Sequence, residues 1–253
     1  MNKHTGWDSV AGEYGDAFIK NDGSYHSTVI LPNLLRIVEP KKGKKILEVG
    51  CGDGFFAVEF ANTGADVEGS DVASAMISEA KKKHSHVRWY VASADNLSFA
   101  KNELYDSVVV VLALQNIENL QAAIKEAARV LKKGGEFIFV LNHPAFRIPK
   151  KSSWGFDEAA NTQYRRLDAY LSEFSGEIDM DPGKTSGKRT TVSFHRPLQV
   201  YVKALAKNGF GITGLEEWIS NKRSQSGPRQ AAEDTSRKEF PLFLMVKAKK
   251  LTN

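Results

Sequence analysis

The chain has 253 residues, of which 42% are hydrophobic and 26% charged, and its formal net charge is +5. This length and composition predict one globular domain with a sizeable core. No run approaches about 18 consecutive apolar residues, and the start lacks the basic-then-apolar order of a secretory signal, so we expect a cytoplasmic protein without a membrane span. The single cysteine, Cys51, excludes an internal disulfide and a cysteine-based metal cluster.

Apolar runs alternate with helical patterns along the first 143 residues, which predicts an α/β fold with a parallel sheet covered by helices on both faces. The predicted strands are Lys45–Val49, Asp66–Ser70, Val87–Ala92, Ser107–Leu112 and Glu136–Leu141. The predicted helices between them are Phe55–Asn62, Ser74–Lys83 and Leu120–Leu131. We expect residues 1–40 to form a helical cap and residues 41–143 to form the ligand-binding core.

The alternation stops in residues 144–194, which we expect to form a lid or a substrate-facing insertion, because so long a structureless loop is unusual in a compact domain. Four apolar residues at helix-like spacing are predicted to pack there: Tyr164, Leu167, Leu171 and Phe174. The pattern of residues 195–253 predicts a helix, a strand near Ile212–Trp218, a polar loop over Ser220–Glu239 and a final strand. No helix joins the last two strands, so we expect them to be antiparallel.

The segment "ILEVGCGDGFF" places a glycine-rich turn between the first strand and the first helix. Gly50 and Gly52 match the first two glycines of the dinucleotide-binding fingerprint G-x-G-x-x-G, but Phe55 stands where the third glycine belongs. A bulky residue at that place disfavours a dinucleotide. Glu48 adds a negative charge, which would repel phosphate and would suit a ligand with an ammonium or sulfonium group.

This segment resembles motif I of the class I S-adenosylmethionine-dependent methyltransferases, and the resemblance extends over residues 44–142. The chain is similar to the ubiquinone/menaquinone C-methyltransferase-like group. The resemblance implies a Rossmann-like sheet of seven strands with an antiparallel last strand. It also implies S-adenosylmethionine as methyl donor and S-adenosylhomocysteine as product. Gln115 and Asn116, just after the fourth predicted strand, fall where the family's motif IV flanks the methyl donor and the acceptor; an equal alternative is that they bond to the local backbone.

In that family an acid after the second strand binds the ribose hydroxyls, and an acid after the third strand lies beside the adenine amino group. Asp71 and Asp95 occupy these places in "VEGSDVASAMI" and "VASADNLSF". The full set of implied donor-binding residues is Tyr14, Glu48, Gly50, Cys51, Gly52, Asp71, Val72, Ala94, Asp95, Asn96, Leu112 and Gln115. Simpler interpretations stay open: Asp71 as a helix cap, Asp95 as a loop acid and Cys51 as a small filler.

The amino-terminal segment "WDSVAGEYGDAF" resembles the cap of small-molecule methyltransferases, in which Tyr14 would cover the donor and attract its sulfonium cation. An equal alternative is that Trp7, Val10, Tyr14 and Phe18 form the apolar stripe of a helix.

Methyl transfer from a sulfonium requires an acceptor atom held in line with the donor, and some acceptors also need a base. His143, after the fifth predicted strand, is the best-placed candidate base, and His195, which opens the helix after the insertion, is the second. Either histidine is equally a candidate for a structural hydrogen-bonding role. The histidines lack metal-ligand spacing, so no metal is predicted, although folding would be able to assemble a catechol-type metal site from distant residues.

The irregular segments are rich in basic residues, which would suit an anionic small-molecule acceptor or an RNA backbone. They are Arg147, Lys150, Lys151, Arg165, Arg166, Lys184, Lys188, Arg189, Arg196, Lys222, Arg223, Arg229, Arg237 and Lys238. Acidic residues are interspersed, which favours a solvated surface over a nucleic-acid site. The sequence therefore predicts a small-molecule methyltransferase. An RNA methyltransferase, or a donor-binding protein without methyl transfer, is the alternative, and the oligomeric state is left open.

Overall fold

The computed structural model describes residues 6–7, 23–180 and 189–252. A seven-stranded sheet forms its centre, and two separate hairpins lie beside it. The strands of the central sheet are β1 (Lys45–Val49), β2 (Asp66–Asp71), β3 (Arg88–Val91), β4 (Tyr105–Val111), β5 (Leu131–Asn142), β10 (Phe210–Trp218) and β11 (Phe243–Lys250). The hairpin strands are β6 (Ser152–Asp157), β7 (Thr162–Leu167), β8 (Phe174–Asp179) and β9 (Thr190–His195).

Helices cover both faces of the central sheet. They are α1 (Leu31–Val38), which follows a π-helical turn at His26–Ile30, then α2 (Phe55–Asn62), α3 (Ser74–Lys83), α4 (Leu120–Val130), α5 (Leu198–Lys207) and α6 (Gln230–Glu239). The predicted α/β class and its covered sheet are confirmed.

The strand order across the sheet is β10-β11-β5-β4-β1-β2-β3. The strands β1 to β5 are parallel, whereas β11 runs antiparallel to both of its neighbours, β5 and β10. The predicted antiparallel ending is therefore confirmed. After β3 the chain returns to the other side of β1 to form β4, and this reversal opens a crevice at the carboxyl ends of β1 and β4, where open α/β sheets bind ligands.

Successive residues of a strand point to opposite faces, and β4 shows how this builds two cores. Val108 and Val110 belong to the core beneath α4 and α5, whereas Val109 and Val111 belong to the core beneath α1 and α2. All four valines are buried, so an uninterrupted apolar run is the pattern expected of a central parallel strand.

The structure corrects two predictions about the irregular segments. The helix-like spacing in residues 144–194 does not form a helix: the segment makes the hairpins β6–β7 and β8–β9. Tyr164, Leu167 and Leu171, predicted to pack, are exposed instead. The predicted polar loop at its carboxyl end contains α6, which the sequence hides because Ser236 is the single buried residue of that helix and gives no apolar periodicity.

Candidate methyl-donor site

The glycine turn between β1 and α2 depends on backbone conformations that side chains disfavour. Gly50, Gly52 and Gly54 have φ angles of 73°, 55° and 94°. A Cβ at Gly50 would lie 2.5 Å from the Cβ of Ala113, and a Cβ at Gly54 would lie 2.4 Å from the ring of Trp89. A Cβ at Gly52 would meet no described atom within 4 Å. Two of the glycines therefore allow close packing, whereas the backbone of Gly52 faces open space that a ligand can approach.

Asp71, at the carboxyl end of β2, braces this turn. Its Oδ2 accepts the backbone N–H of Gly52 at 2.9 Å, and its Oδ1 accepts the backbone N–H of Ala73 at 2.8 Å. Asp71 is not the N-cap that the sequence left open: the N-cap of α3 is Ala73, and the second bond lies in the turn before that helix. A carboxylate offers about four acceptor positions, so this side chain can accept more hydrogen bonds than these two.

Glu48 lies beneath the turn rather than on its open surface, and only 1% of the residue is exposed. Burial raises the pKa of its carboxyl group well above the usual range, although a hydrogen bond from the backbone of Ala57 opposes this and the charges of Asp71 and Asp53 add to it. Its Oε2 has no hydrogen-bond partner among the described residues. An orphaned, buried carboxylate oxygen next to the turn fits a cationic ligand group.

The predicted adenine side of the site forms where β2 and β3 end next to each other in the sheet. Val72 is 44% exposed there. After β3, the Asp95 carboxylate accepts the Ser93 hydroxyl at 2.6 Å, and the backbone N–H of Asn96 donates to the Ser93 carbonyl, which closes a tight turn with Ala94 inside it. Asp95 and Asn96 are exposed, so their side chains lie open to a ligand at this edge.

The end of β4 combines a strained backbone at Leu112 with a side-chain oxygen on Gln115 that is unpaired among the described residues. Leu112 has a φ of 52°, a left-handed conformation that non-glycine residues rarely adopt and that is concentrated at functional sites. Its carbonyl accepts the side-chain amide N–H of Gln115 at 2.7 Å. Gln115 is buried, and its Oε1 has no hydrogen-bond partner in the described structure.

Cys51 lies inside the turn and is buried. Burial, followed by the charges of Glu48 and Asp71, raises the pKa of its thiol well above the usual range. The protonated thiol donates weakly to the Gly52 carbonyl at 3.7 Å. These contacts match the simpler interpretation of Cys51 as a small filler.

His143 lies directly after β5, and both of its ring nitrogens already have partners. Its Nδ1 accepts the backbone N–H groups of Ala145 at 3.2 Å and Phe146 at 3.4 Å, so Nε2 carries the proton and donates to Glu217 at 2.7 Å. Burial lowers the pKa of the imidazole, and the carboxylate of Glu217 opposes that shift. These bonds give His143 a structural role, and its role as a base stays a prediction.

His195 ends β9 rather than opening the next helix, which Pro197 precedes and Leu198 begins. Its Nε2 donates to the carbonyl of Tyr170 at 2.7 Å, which leaves Nδ1 as the nitrogen able to accept a proton. The strand β9 packs against the turn Leu114–Asn116 after β4. The insertion therefore reaches the edge of the sheet at which the donor residues converge.

The sequence identified Arg196 as one of many basic residues and did not indicate that it is buried or what it contacts. It is 6% exposed, and its Nη2 donates to the carbonyls of Ile117 and Glu118 at 2.8 and 2.7 Å. It thus ties the insertion to the chain after β4. The available sequence signal was the neighbouring Pro197, which is compatible with the start of a helix and is the N-cap residue of α5.

The amino-terminal cap is described only at Gly6 and Trp7 before residue 23. Trp7 packs with Met180 of the insertion against Ala73 and Met76 at the start of α3, beside Asp71. The predicted donor contact of Tyr14 lies outside the described residues, as do Val10, Phe18, Lys184 and Lys188.

Within the described residues, no helix is both long enough and apolar enough to span a bilayer. The same part of the chain contains no group of three or more histidine, cysteine, aspartate or glutamate side chains arranged to hold a metal ion.

Residues 47–139 match the family model described as a methyltransferase domain. The chain is 33% identical over 110 residues to a ubiquinone/menaquinone biosynthesis C-methyltransferase of Zymomonas mobilis, covering 42% of this chain and 45% of the relative. It is 34% identical over 106 residues to a demethylmenaquinone methyltransferase of Tropheryma whipplei, covering 40% of this chain and 44% of the relative. The chain thus aligns with less than half the length of these curated relatives.

The fold matches a solved S-adenosylmethionine-dependent methyltransferase from Mesorhizobium loti with a TM-score of 0.69 and 26% identity, over 90% of this chain and 99% of that one. A Listeria monocytogenes structure of the same description gives a TM-score of 0.68 and 26% identity, over 92% of this chain and 100% of that one. The glycine turn, the sheet order with its antiparallel ending and these similarities support a class I S-adenosylmethionine-dependent methyltransferase domain. By name, the first of these curated relatives belongs to ubiquinone and menaquinone biosynthesis and the second is a methyltransferase for demethylmenaquinone, while further similar proteins are named for biotin biosynthesis.

Proposed function

We propose that this chain transfers a methyl group from S-adenosylmethionine to an O, N or C atom of a small-molecule acceptor. The observation that carries the proposal is the convergence of the glycine turn, Asp71 and the strained Leu112 at one edge of the sheet. The names of the quinone-biosynthesis relatives support a small-molecule acceptor. A cytoplasmic location remains a prediction.

In this proposal each strand end contacts one part of the donor. Asp71 would accept the ribose hydroxyls while holding the Gly52 amide, and the orphaned Oε2 of Glu48 would face the donor's ammonium group. The adenine edge would comprise Val72, Ala94, Asp95 and Asn96, and the methyl side would comprise Leu112 and Gln115. Gly50 and Cys51 would shape the turn, and Tyr14 would cover it.

The bound donor supplies an electrophilic methyl group on a sulfonium, so the protein's task is to hold an acceptor in line and to exclude water. The turn Leu114–Asn116, which follows the strained end of β4, and the strand β9 packed against it would contribute to that task. If the acceptor must lose a proton, the Nδ1 of His195 is better available than His143, because both nitrogens of His143 already have partners. An amine that attacks as the free base needs neither histidine.

The test is transfer of a labelled methyl group from S-adenosylmethionine into a host-cell extract that is then separated into small-molecule, RNA and protein fractions. The Asp71→Ala variant is the control. Label in the small-molecule fraction that is absent with the variant supports the proposal. Label in RNA contradicts the acceptor class. Donor binding by calorimetry without label in any fraction supports a donor-binding protein without methyl transfer.

Several described basic residues are paired with acids and give no separate support to an RNA acceptor. Arg166 pairs with Asp168 at 3.2 Å, Arg36 pairs with Glu216, and Arg229 pairs with Glu158. Basic side chains that are already neutralised by acids contribute little to phosphate binding.

A further inference from the structure

A pocket of about 240 Å³ lies beside the carboxyl end of β5, away from the glycine turn. The hairpin β6–β7 and the turn that precedes β11 close its other sides. We call it the arginine pocket; its lining residues are Phe146, Arg147, Trp154, Arg165 and Phe240–Leu242. It lies between the edge of the sheet and the insertion, where we expect the acceptor to bind.

The walls of the arginine pocket are flat and apolar. The rings of Phe146 and Phe240 meet edge to face with centroids 5.5 Å apart, and those of Trp154 and Phe240 do so at 5.4 Å. Trp154 is nevertheless 42% exposed, which is unusual for so large a side chain with packed neighbours. An apolar ring that entered the pocket would cover this exposed surface.

The two arginines of the pocket are held by neutral groups. Arg165 donates from Nε to the Phe146 carbonyl at 2.8 Å and from Nη2 to the Ser152 hydroxyl at 2.7 Å, and its guanidinium lies 5.0 Å from the Trp154 ring centroid. Arg147 donates from Nη1 to the Asn142 side chain at 2.7 Å. These bonds orient both guanidinium groups without balancing their charge.

Among the described residues, neither Arg147 nor Arg165 has a carboxylate within ion-pair distance. Their neighbour Arg166, on the opposite face of β7, pairs with Asp168, so acids are available to this hairpin but face away from the pocket. Partial desolvation, followed by the charge of Arg165, lowers the pKa of Arg147, whose side chain is still exposed on one side, and partial desolvation lowers the pKa of the half-buried Arg165. Two like charges therefore share one pocket without a compensating anion.

We infer that the arginine pocket binds an oxyanion, a carboxylate or a phosphate, carried on a flat apolar group such as an aromatic ring. Guanidinium groups match the geometry of both oxyanions, and the aromatic walls match the ring. The unused N–H groups of Arg147 and Arg165 supply the donors. The pocket thus gives the acceptor side of the site a preference for aryl acids. This assignment rests on the proposed function only in naming the ligand as the acceptor, since binding itself requires no methyl transfer.

The test measures binding of three small probes by ligand-observed NMR at low salt: benzoate, phenyl phosphate and the neutral benzyl alcohol. The variants are Arg147→Met and Arg165→Met, which keep the apolar stem of the side chain, with Arg166→Met as the matched control on the other face of the strand. We expect at least one aryl anion to bind about tenfold or more tightly than benzyl alcohol. We also expect each pocket variant to lose about that factor, and Arg166→Met to retain the affinity of the unmodified protein.

Tighter binding of phenyl phosphate than of benzoate would assign the anion as phosphate, and the reverse would assign it as carboxylate. Equal binding of benzyl alcohol and the anions, or equal losses in all three variants, would overturn the inference. So would displacement of phenyl phosphate by an equal concentration of inorganic phosphate added as a competitor, because the aromatic walls would then have no role. Calorimetry with S-adenosylhomocysteine separates the two proposals: intact donor binding with no probe binding refutes only the pocket, and the converse refutes only the donor site.

Discussion

Replacing Asp71 with Asn tests the donor site with the smallest possible change of shape. The carboxylate accepts two backbone N–H groups, one on each oxygen. An asparagine keeps one acceptor oxygen but turns its NH₂ group toward the second N–H, so one bond is replaced by two opposed donors. A hydrogen bond to a charged group contributes about 1.5–3 kcal/mol, which corresponds to roughly a tenfold to hundredfold weaker Kd for the donor.

Calorimetric titration with S-adenosylhomocysteine measures this effect, and a thermal melt confirms that the variant is folded. Asp66→Asn is the matched control, because Asp66 begins the same strand at the opposite edge of the sheet and is half-exposed beside Lys45 and Arg88. Its ion pairs contribute little at the surface, and its donor affinity should equal that of the unmodified protein. A folded Asp71→Asn protein with a Kd within about twofold of the unmodified protein would refute the assignment.

Three further predictions concern the turn and the sheet beneath it. Burial raises the pKa of Glu48, so its ionisation destabilises the folded protein as the pH rises above the ordinary pKa of 4.5. Glu48→Gln should therefore be more stable to urea than the unmodified protein at pH 7 and equally stable below about pH 4.5. The variant should bind the donor more weakly. Gly52→Ala should fold and lose donor affinity. Gly54→Ala should lower the melting temperature sharply, because its Cβ would collide with the indole of Trp89. Similar melting temperatures for the two variants would contradict this. Burial alone would raise the pKa of Glu68, but its bonds to Lys45, Tyr105 and Arg88 lower the pKa. Tyr105→Phe removes the 2.5 Å bond and should lower the free energy of unfolding by about 1.5–3 kcal/mol at neutral pH. The loss should become smaller as acid protonates Glu68. A pH-independent loss in urea titrations would argue against that ion network.

The sequence by itself determined the central sheet and predicted the residues of the proposed donor site. Buried parallel strands are continuous apolar runs, and the turn glycines follow β1 directly, so both signals lie within short segments of chain. Asp71 and Asp95 could be placed because parallel strands end at one edge of the sheet, and Asp71 ends β2 while Asp95 lies four residues after β3. The family resemblance added the identity of the donor, which spacing alone does not supply.

Only the tertiary structure decided the partners of the histidines and the character of the insertion. His143 bonds to Glu217, 74 residues away, and the pairing of β5 with β11 brings Leu242 to the same edge. The helix-like spacing in the insertion was a wrong signal, because Tyr164, Leu167 and Leu171 are exposed and do not form the buried face of a helix. Arg147 and Arg165 are two charges among many in the sequence, and they acquire a distinct role because folding surrounds them with aromatic rings and neutral acceptors while the acids of the hairpin point elsewhere.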